Sequence, residues 1–222
     1  MKIIALPDLH GGVNCLEPIA DSLSVADVVL LVGDLTSSGG TADTSRVVNT
    51  VRRYNESILA VPGNWDGPEV SAYLAQEGIN IHRRSVVIDG IAFIGVGAAL
   101  LSILNTPNEI AESDFKMFLE EAASGLSATT PKILVCHQPP IQTLTDRTWT
   151  NLHSGSKAIR AFIEDIQPHV CFTGHVHEGI GIDTIGNTKV INPGPLWQGG
   201  YAYAEVIKQR IVVLEIRKSE YT

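Results

Sequence analysis

The chain has 222 residues, which suits one domain with a buried core, and 44% of them are hydrophobic, which excludes a disordered chain. Its formal net charge of −8, with no run of Lys or Arg longer than Arg52-Arg53 or Arg83-Arg84, excludes the basic stripe by which proteins follow duplex nucleic acid. No apolar run reaches the roughly 18 residues that a membrane-spanning helix needs, so we expect no membrane partner.

The first half of the sequence predicts alternating strands and helices. Each strand is a short apolar run that ends at a turn, and each helix has apolar residues at helical spacing. The predicted strands are Lys2–Leu6, 27–32 and 57–61, and the predicted helices are 15–24, 41–54 and 69–76, the last with Pro68 at its start. Because strands joined by crossover helices run parallel, we expect a buried parallel sheet.

The second half has a different pattern. Two helices are predicted, at 109–122 and at 155–166, the second beginning at Ser154 or Ser156. The predicted strands are 85–89, Ile91–Val96, Lys132–Cys136, 169–173, Gly181–Ile185, 189–191, 201–207 and 211–217. Since the last four resemble antiparallel strands, we expect a second sheet packed on the first. The predicted fold class is therefore α/β.

Two connections are long enough to carry function. They cover residues 98–108 and 139–154, and the second contains Trp149 and His153. We expect these two loops to form a rim that faces the substrate. Near the C-terminal strands, Trp197 and the segment 201–203 are expected to be an exposed contact surface, while the oligomeric state stays open.

Five short segments place oxygen or imidazole groups where an apolar strand gives way to a turn. They are Asp8-Leu9-His10, Gly33-Asp34-Leu35, Gly63-Asn64-Trp65-Asp66, Cys136-His137-Gln138 and Gly174-His175-Val176-His177. The carboxyl ends of strands lie at one edge of an α/β sheet, where ligands commonly bind. The pattern therefore predicts a site for two metal ions.

The seven side chains in these segments divide between two cations. The first would be bound by Asp8, His10, Asp34 and His177, and the second by Asp34, Asn64, His137 and His175. Asp34 is counted twice because the two oxygens of a carboxylate can bridge two ions. Such ions lie about 3.5–4 Å apart and hold the attacking and leaving oxygens of a displacement at phosphorus. Phosphoryl transfer is the reaction that this arrangement favours.

The five segments, in this order and at this spacing, resemble those of the calcineurin-like metallophosphoesterases, whose motifs are DxH, GDxx, GNHD, an isolated His after a strand, and GHxH. The resemblance runs from Met1 to about Leu196. It implies a two-sheet β-sandwich flanked by helices in four layers, αββα, as one domain over residues 1–222. It also implies metals at the carboxyl ends of the strands, with a water or hydroxide held between them as the nucleophile.

One position departs from the family pattern. The family commonly has His between the Asn and the Asp of the third motif, where it protonates the leaving oxygen, and this chain has Trp65 there. Indole donates a hydrogen bond but does not exchange a proton near neutral pH. Relatives that lack this His tend to favour diesters, so the resemblance implies a small phosphodiester substrate rather than a monoester. Asp66 is expected to lose its usual role of orienting the His.

The resemblance also assigns roles within the site. The catalytic residues are Asp34, Asn64, His137 and His175, and the two imidazoles help to neutralise negative charge that develops in the reaction. Trp65 is expected to form a wall of the pocket or to stack on a ring of the substrate, and His153 to hydrogen bond the substrate or to replace the missing acid. The mixed oxygen and nitrogen ligands suit Mn²⁺, which we expect first, or Fe or Zn²⁺.

An alternative is a scaffold that keeps the fold and binds other proteins with little or no catalysis, as the retromer scaffold subunit of this family does. The retention of every metal-ligand position argues against it. Cys15, Cys136 and Cys171 are too few and too scattered for a disulfide framework. Because the first strand leads directly into a metal motif, we expect no removable signal peptide and a cytoplasmic protein.

Overall fold

Two facing β-sheets form the centre of the protein, whose computed structural model describes residues 1–219. The strands are β1 (Lys2–Leu6), β2 (Val28–Val32), β3 (Ile58–Val61), β4 (Arg84–Ile88), β5 (Ile91–Val96), β6 (Ala99–Leu100), β7 (Glu109–Ile110), β8 (Lys132–Cys136), β9 (Val170–Phe172), β10 (Gly181–Ile185), β11 (Thr188–Asn192), β12 (Gly200–Ile207) and β13 (Arg210–Lys218). The helices are α1 (Ala20–Ser24), α2 (Thr41–Arg52), α3 (Pro68–Gln76), α4 (Glu112–Ala123) and α5 (Lys157–Ile166). Within residues 1–219, no helix is both long and apolar enough to cross a membrane.

The two sheets have related but different strand orders. The first has five strands in the order β13-β12-β1-β2-β3, and the second has six in the order β10-β11-β9-β8-β5-β4. In the first sheet β1, β2 and β3 are parallel, and in the second β5, β8, β9 and β11 are parallel. The carboxyl ends of β1, β2, β3, β8 and β9 carry the predicted metal motifs.

Alternating side chains of the strands build three buried layers of packing. In β1, Ile3 lies in the cluster between the two sheets, whereas Ile4 lies in the cluster between the first sheet and α1, α2 and α3. On the outer face of the second sheet, Leu134 packs with Phe115 of α4 and Ile159 of α5. The result is the predicted four-layer αββα arrangement, with helices on both outer faces.

Helix ends follow local chemistry. The hydroxyl of Ser156 caps α5 by accepting a hydrogen bond from the backbone N–H of Ile159, at 3.1 Å. Pro68 stands at the start of α3, where a missing N–H costs nothing. The predicted helix 15–24 is not one helix, because Pro18 lies in its middle and supplies no N–H. Short 3-10 turns over Val13–Cys15 and Glu17–Ile19 precede α1 instead.

Three further predictions from sequence need correction. The C-terminal strands do not form one sheet, because β10 and β11 join the second sheet whereas β12 and β13 join the first. Glu109 belongs to β7 rather than to the following helix, which begins at Glu112. Tyr201 and Tyr203 are each only 6% exposed, since β12 is an inner strand between β13 and β1, so the predicted contact surface there is wrong except at Trp197.

Candidate metal centre

The seven predicted ligands come together where the carboxyl ends of the two sheets meet. Asp8 and His10 follow β1, Asp34 follows β2 and Asn64 follows β3, so the first sheet supplies all the oxygen ligands. His137 follows β8, and His175 and His177 follow β9, so the second sheet supplies imidazoles. The site therefore lies across the junction of the two sheets.

The backbone is strained at four of these residues. Asp8, His10, Asp34 and His175 have φ values of 52°, 48°, 49° and 65°, in the left-handed region that side chains other than glycine seldom adopt. Such residues cost about 1–3 kcal/mol each and persist where the surrounding structure imposes them, commonly at functional sites. The fold thus holds these side chains in positions that the local chain would not choose.

Two glycines are needed because the motifs approach one another closely. A Cβ atom on Gly63 would overlap the carboxylate of Asp34, and one on Gly33 would overlap the ring of His137. Gly33 also has a φ of 83°, which glycine adopts at little cost. Each glycine therefore makes room for a candidate ligand.

The first group of candidate ligands consists of Asp8, His10 and His177. One ligand atom of each lies within 4.8 Å of the others, a spacing that suits a single cation. His177 Nε2 is 3.4 Å from Asp8 Oδ1, and the His10 and His177 rings have centroids 5.5 Å apart. The backbone N–H of His175 donates to Asp8 Oδ2 at 3.1 Å, which orients this carboxylate from the opposite sheet.

The second group consists of His137, Asn64 and His175. Asn64 Oδ1 lies 3.1 Å from His137 Nε2 and 2.9 Å from His175 Nδ1. His137 Nδ1 donates to the carbonyl oxygen of Val32 at 2.9 Å, so its Nε2 faces the site. A metal-binding histidine is usually oriented in this way through its other ring nitrogen.

Asp34 lies between the two groups. Its Oδ2 is 3.7 Å from His10 Nε2 and 3.3 Å from His137 Nε2, which are candidate ligands of different cations. Its Oδ1 accepts a hydrogen bond from the backbone N–H of Trp65 at 2.8 Å. This is the position that a carboxylate shared by two ions requires.

The chemistry of these groups fits divalent cations. His10 Nε2 is buried and has no hydrogen-bond partner among residues 1–219, a costly arrangement that a bound cation would relieve. Burial alone lowers the pKa of His137, but the charge of Asp34 and their hydrogen bond raise it to about 10, so the site attracts positive charge. Burial and the charge of His137 lower the pKa of His175 to about 4, which leaves a neutral imidazole with a free lone pair.

Asp66 has a role that its sequence motif does not reveal. Its buried carboxylate accepts hydrogen bonds from the backbone N–H groups of Gly63, Leu35 and Thr36, each at 2.9 Å, and from the Thr36 hydroxyl at 3.0 Å. Burial and the negative charge of Asp34 raise the pKa of Asp66, and the donated hydrogen bonds lower it in part. Asp66 thus joins the turns that carry Asp34 and Asn64.

His153, in the second predicted rim loop, lies outside this network. His153 Nδ1 is 2.7 Å from Asp146 Oδ1, and His153 forms no hydrogen bond or ion pair with the seven candidate ligands. The two rim loops are connected by Gln138, whose Oε1 accepts from the N–H of Leu100 and whose Nε2 donates to the carbonyl of Ser154. The side chain of Trp65 is 37% exposed at the edge of the site.

The comparisons with known proteins show the family to which the chain belongs. Residues 1–218 match the model of the calcineurin-like phosphoesterase superfamily domain. The chain is similar to the uncharacterized protein MJ1162 of Methanocaldococcus jannaschii, with 37% identity over 200 residues that cover 88% of each chain. It is also 25% identical to the UPF0046 protein K07C11.7 of Caenorhabditis elegans over 241 residues, covering 98% of this chain and 76% of that protein.

Solved structures share the fold at low sequence identity. TT1561 of Thermus thermophilus has a TM-score of 0.78 and 19% identity, with 99% of each chain covered. The purple acid phosphatase PPD1 from yellow lupin seeds has a TM-score of 0.68 and 13% identity, with 99% of this chain and 51% of that one covered. With the family match over nearly the whole sequence, the chain belongs to the calcineurin-like phosphoesterase superfamily and is a metal-dependent phosphoesterase.

Proposed function

We propose that the chain hydrolyses small phosphodiesters with two divalent cations, of which Mn²⁺ is the first choice and Fe or Zn²⁺ are alternatives. The proposed ligands of the first cation are Asp8, His10, Asp34 and His177, and those of the second are Asp34, Asn64, His137 and His175. The spacing of these groups and the shared position of Asp34 support this assignment. When bound, the cations lower the pKa of a water molecule and neutralise charge on the phosphoryl oxygens.

The protein's own groups hold this arrangement in place before any substrate binds. The carbonyl of Val32 fixes the ring of His137, and the backbone N–H of Trp65 fixes the carboxylate of Asp34. Such preorganisation matters because catalytic groups act in the right geometry without moving during the reaction. We also assign His137 and His175 to stabilising the negative charge that develops on the phosphoryl group during the reaction.

The preference for diesters is carried by the indole of Trp65. This side chain stands where the family commonly has the histidine that protonates the leaving oxygen, and indole cannot do so near neutral pH. General acid help is typically about 10²–10⁴-fold in rate. A diester also carries one negative charge where a monoester carries about −1.5 to −2 at pH 7. Within residues 1–219 neither Asp8 nor Asp34 is paired with Lys or Arg, so the two cations are the proposed partners of the phosphoryl charge.

Exposed tryptophans provide surfaces for the alcohol groups of a diester. The chain has three tryptophans, of which Trp65 is 37%, Trp149 88% and Trp197 45% exposed. The ring centroids of Trp197 and His177 are 6.0 Å apart. The backbone N–H of Trp149 donates to the carboxylate of Glu178, the residue after His177. Aromatic faces stack on bases and other rings with about 1–3 kcal/mol per ring. We therefore assign Trp65 to binding a ring of the substrate.

His153 is the proposed source of a polar contact to the substrate. Its Nδ1 is held by Asp146, whose carboxylate is buried and also accepts from the N–H groups of Gln142, Thr143 and Gly155. This fixes the ring and leaves Nε2 available to a ligand. In the proposed site, His153 hydrogen bonds the substrate or protonates the leaving oxygen, which Trp65 cannot do.

We also propose a cytoplasmic location. The free cysteines are consistent with it, because thiols stay reduced in the cytoplasm.

The test compares a diester and a monoester of the same aryl alcohol in the presence of Mn²⁺, for example phenyl 4-nitrophenyl phosphate and 4-nitrophenyl phosphate. We expect the diester to have the higher kcat/KM, with Asp34→Asn as the inactive control. A clear preference for the monoester contradicts the proposal. Two bound metal ions with no hydrolysis of any diester in a wider panel would instead favour a protein-binding scaffold.

A further inference from the structure

The amide of Asn64 lies between the second group of ligands and the loop that connects β5 to α4. Its Oδ1 faces His137 and His175, while its Nδ2 donates to Thr106 Oγ1 at 3.1 Å. Asn64 is 4% exposed and Thr106 is 7% exposed, so water cannot readily replace this hydrogen bond. The amide therefore has a definite orientation between two protein surfaces.

This orientation decides whether Asn64 can bind a cation. The two ends of an amide have nearly the same shape, but only the oxygen has lone pairs to offer. If the amide turned over, its NH₂ group would face His137, His175 and the cation. A threonine hydroxyl can donate or accept, so Thr106 alone does not select either orientation.

Glu109 removes this ambiguity. Its Oε1 accepts a hydrogen bond from the Thr106 hydroxyl at 2.6 Å and one from the Thr106 N–H at 3.0 Å. Its carboxylate also accepts from the hydroxyl and the N–H of Ser102, each at 2.7 Å. Desolvation raises the pKa of Glu109, but the hydrogen bonds from Thr106 and Ser102 lower it to about 2. Glu109 is therefore ionised near neutral pH and can only accept.

The hydroxyl of Thr106 has one proton, and the short contact with the carboxylate uses it. Only a lone pair of Thr106 is left to face Asn64, and a lone pair requires a donor, which is the NH₂ end of the amide. We propose that Glu109 and Thr106 are positioning residues that hold the oxygen of Asn64 towards the second cation. This inference rests on the proposed function, because it takes Asn64 as a metal ligand.

Backbone hydrogen bonds at both ends of the loop hold it next to Asn64. The backbone N–H of Asn108 donates to the carbonyl of Asn64 at 3.0 Å, and its side chain donates to the carbonyl of Gly63 at 2.8 Å. The N–H of Ala98 donates to the carbonyl of Pro62 at 2.9 Å. Thr106 therefore stays beside Asn64 through contacts that do not involve either side chain of the pair.

The experiment measures Mn²⁺ binding to the metal-free, full-length protein by titration calorimetry. Replacing partners that orient metal ligands typically costs about 10–100-fold in metal affinity. We expect this loss at one of the two sites in Thr106→Val and in Glu109→Gln. In Glu109→Gln the new amide can donate to Thr106, whose proton is then free for the oxygen of Asn64. Thr106→Ser keeps the hydroxyl and should bind both ions as the wild type does.

Ser102→Ala is the matched control, because it removes a hydrogen bond to Glu109 and leaves the contact between Thr106 and Asn64 in place. Unchanged binding in Ser102→Ala supports the inference, whereas a loss equal to that of Thr106→Val overturns it, because loop order would then be the cause. Wild-type affinity at both sites in Thr106→Val and Glu109→Gln also overturns it. If Thr106→Val does not fold, Glu109→Gln decides the question. Asn64→Ala separates the two proposals: if it too binds both ions normally, the proposed ligand set fails, and if it alone loses one ion, only the positioning role fails.

Discussion

Trp65 holds the carboxylate of Asp34 with its backbone, whose N–H donates to Asp34 Oδ1 at 2.8 Å, while its indole side chain remains 37% exposed. The two parts of the residue therefore do different work. The backbone orients the carboxylate of Asp34, which any residue except proline can do at this position, and the side chain is free to affect which substrate is accepted. Substitutions at position 65 can thus change specificity without moving Asp34.

Trp65→His is expected to increase monoester hydrolysis. The substitution keeps the backbone contact with Asp34 and introduces a group that can transfer a proton near neutral pH. We expect kcat/KM for an aryl monoester to rise at least about 10-fold, below the full range for a well-placed general acid because the ring lacks its usual orienting partner. Trp65→Phe, which adds no acid, serves as the control and should show no gain. Equal monoester rates in the two variants would contradict the prediction.

Asp34→Asn is expected to remove activity and to reduce metal content. An amide has one oxygen to offer and no charge, so it cannot replace a carboxylate that lies between His10 Nε2 and His137 Nε2. We expect kcat/KM to fall at least about 100-fold and fewer than two Mn²⁺ ions per chain by elemental analysis. Asp43→Asn, at a surface ion pair with Arg46, is the control and should retain both ions. Full metal content in Asp34→Asn would rule out the shared carboxylate.

Asp66→Asn is expected to destabilise the protein. The amide NH₂ would face the donors of Gly63, Leu35 and Thr36 and would leave at least one of them without an acceptor. Because hydrogen bonds to a buried charged group contribute about 1.5–3 kcal/mol, we expect the free energy of unfolding in urea to fall by about 2–4 kcal/mol. The surface variant Asp43→Asn should change it by less than about 1 kcal/mol. A loss no larger than that of Asp43→Asn would show that Asp66 does not join the two turns.

His82 is expected to make the free energy of unfolding depend on pH. Its Nδ1 accepts a hydrogen bond from the N–H of Gly97 at 2.8 Å, which requires a neutral ring. Burial and the charges of Arg83 and Arg84 lower the pKa of His82 from 6.5 to about 4, although Glu121 opposes them. Between these two pH values the unfolded chain binds a proton at His82 that the folded chain does not. Stability is therefore lost as the pH falls through this range, by up to roughly 3 kcal/mol.

The measurement compares the wild type with His82→Asn by urea unfolding at about pH 7 and about pH 4.5, on either side of the ordinary histidine pKa, with a chelator present. The oxygen of the introduced amide can accept from Gly97 at either pH, because an amide does not titrate. The variant should lose less stability than the wild type on acidification, and the difference between the two proteins isolates His82 from the other histidines. An equal loss in both would mean that the ring is already protonated in the folded state.

Much of the fold could be predicted from local sequence patterns. The strands β1, β5 and β8 have the predicted bounds because each is a short apolar run that ends at a turn, and β10 also has its predicted bounds. The seven candidate ligands lie together because their motifs follow parallel strands of the two sheets, whose carboxyl ends meet at one junction. The helix predicted over 15–24 was wrong because its apolar spacing is real but Pro18 interrupts the hydrogen bonds that a continuous helix needs.

What could not be predicted depends on contacts between distant parts of the chain. Asp66 accepts from Leu35, 31 residues away, and Asn64 donates to Thr106, 42 residues away. No local pattern marks these partners, since each is an ordinary residue in a turn or loop. The division of the C-terminal strands between the two sheets could not be predicted for the same reason, because it depends on pairing with strands that are distant in sequence. Strand type can be recognised locally, but the neighbour that a strand pairs with is decided by the whole fold.

The location of the candidate centre across the junction of the two sheets has a consequence for the lifetime of the protein. An ion bound by both Asp34 of one sheet and His137 of the other would cross-link the two sheets of the sandwich. A ligand that binds only the folded state at about 100 times its dissociation constant adds about 2.7 kcal/mol to stability. A shortage of metal would then have two effects on the cell: the enzyme would lose activity, and the less stable chain would be degraded faster.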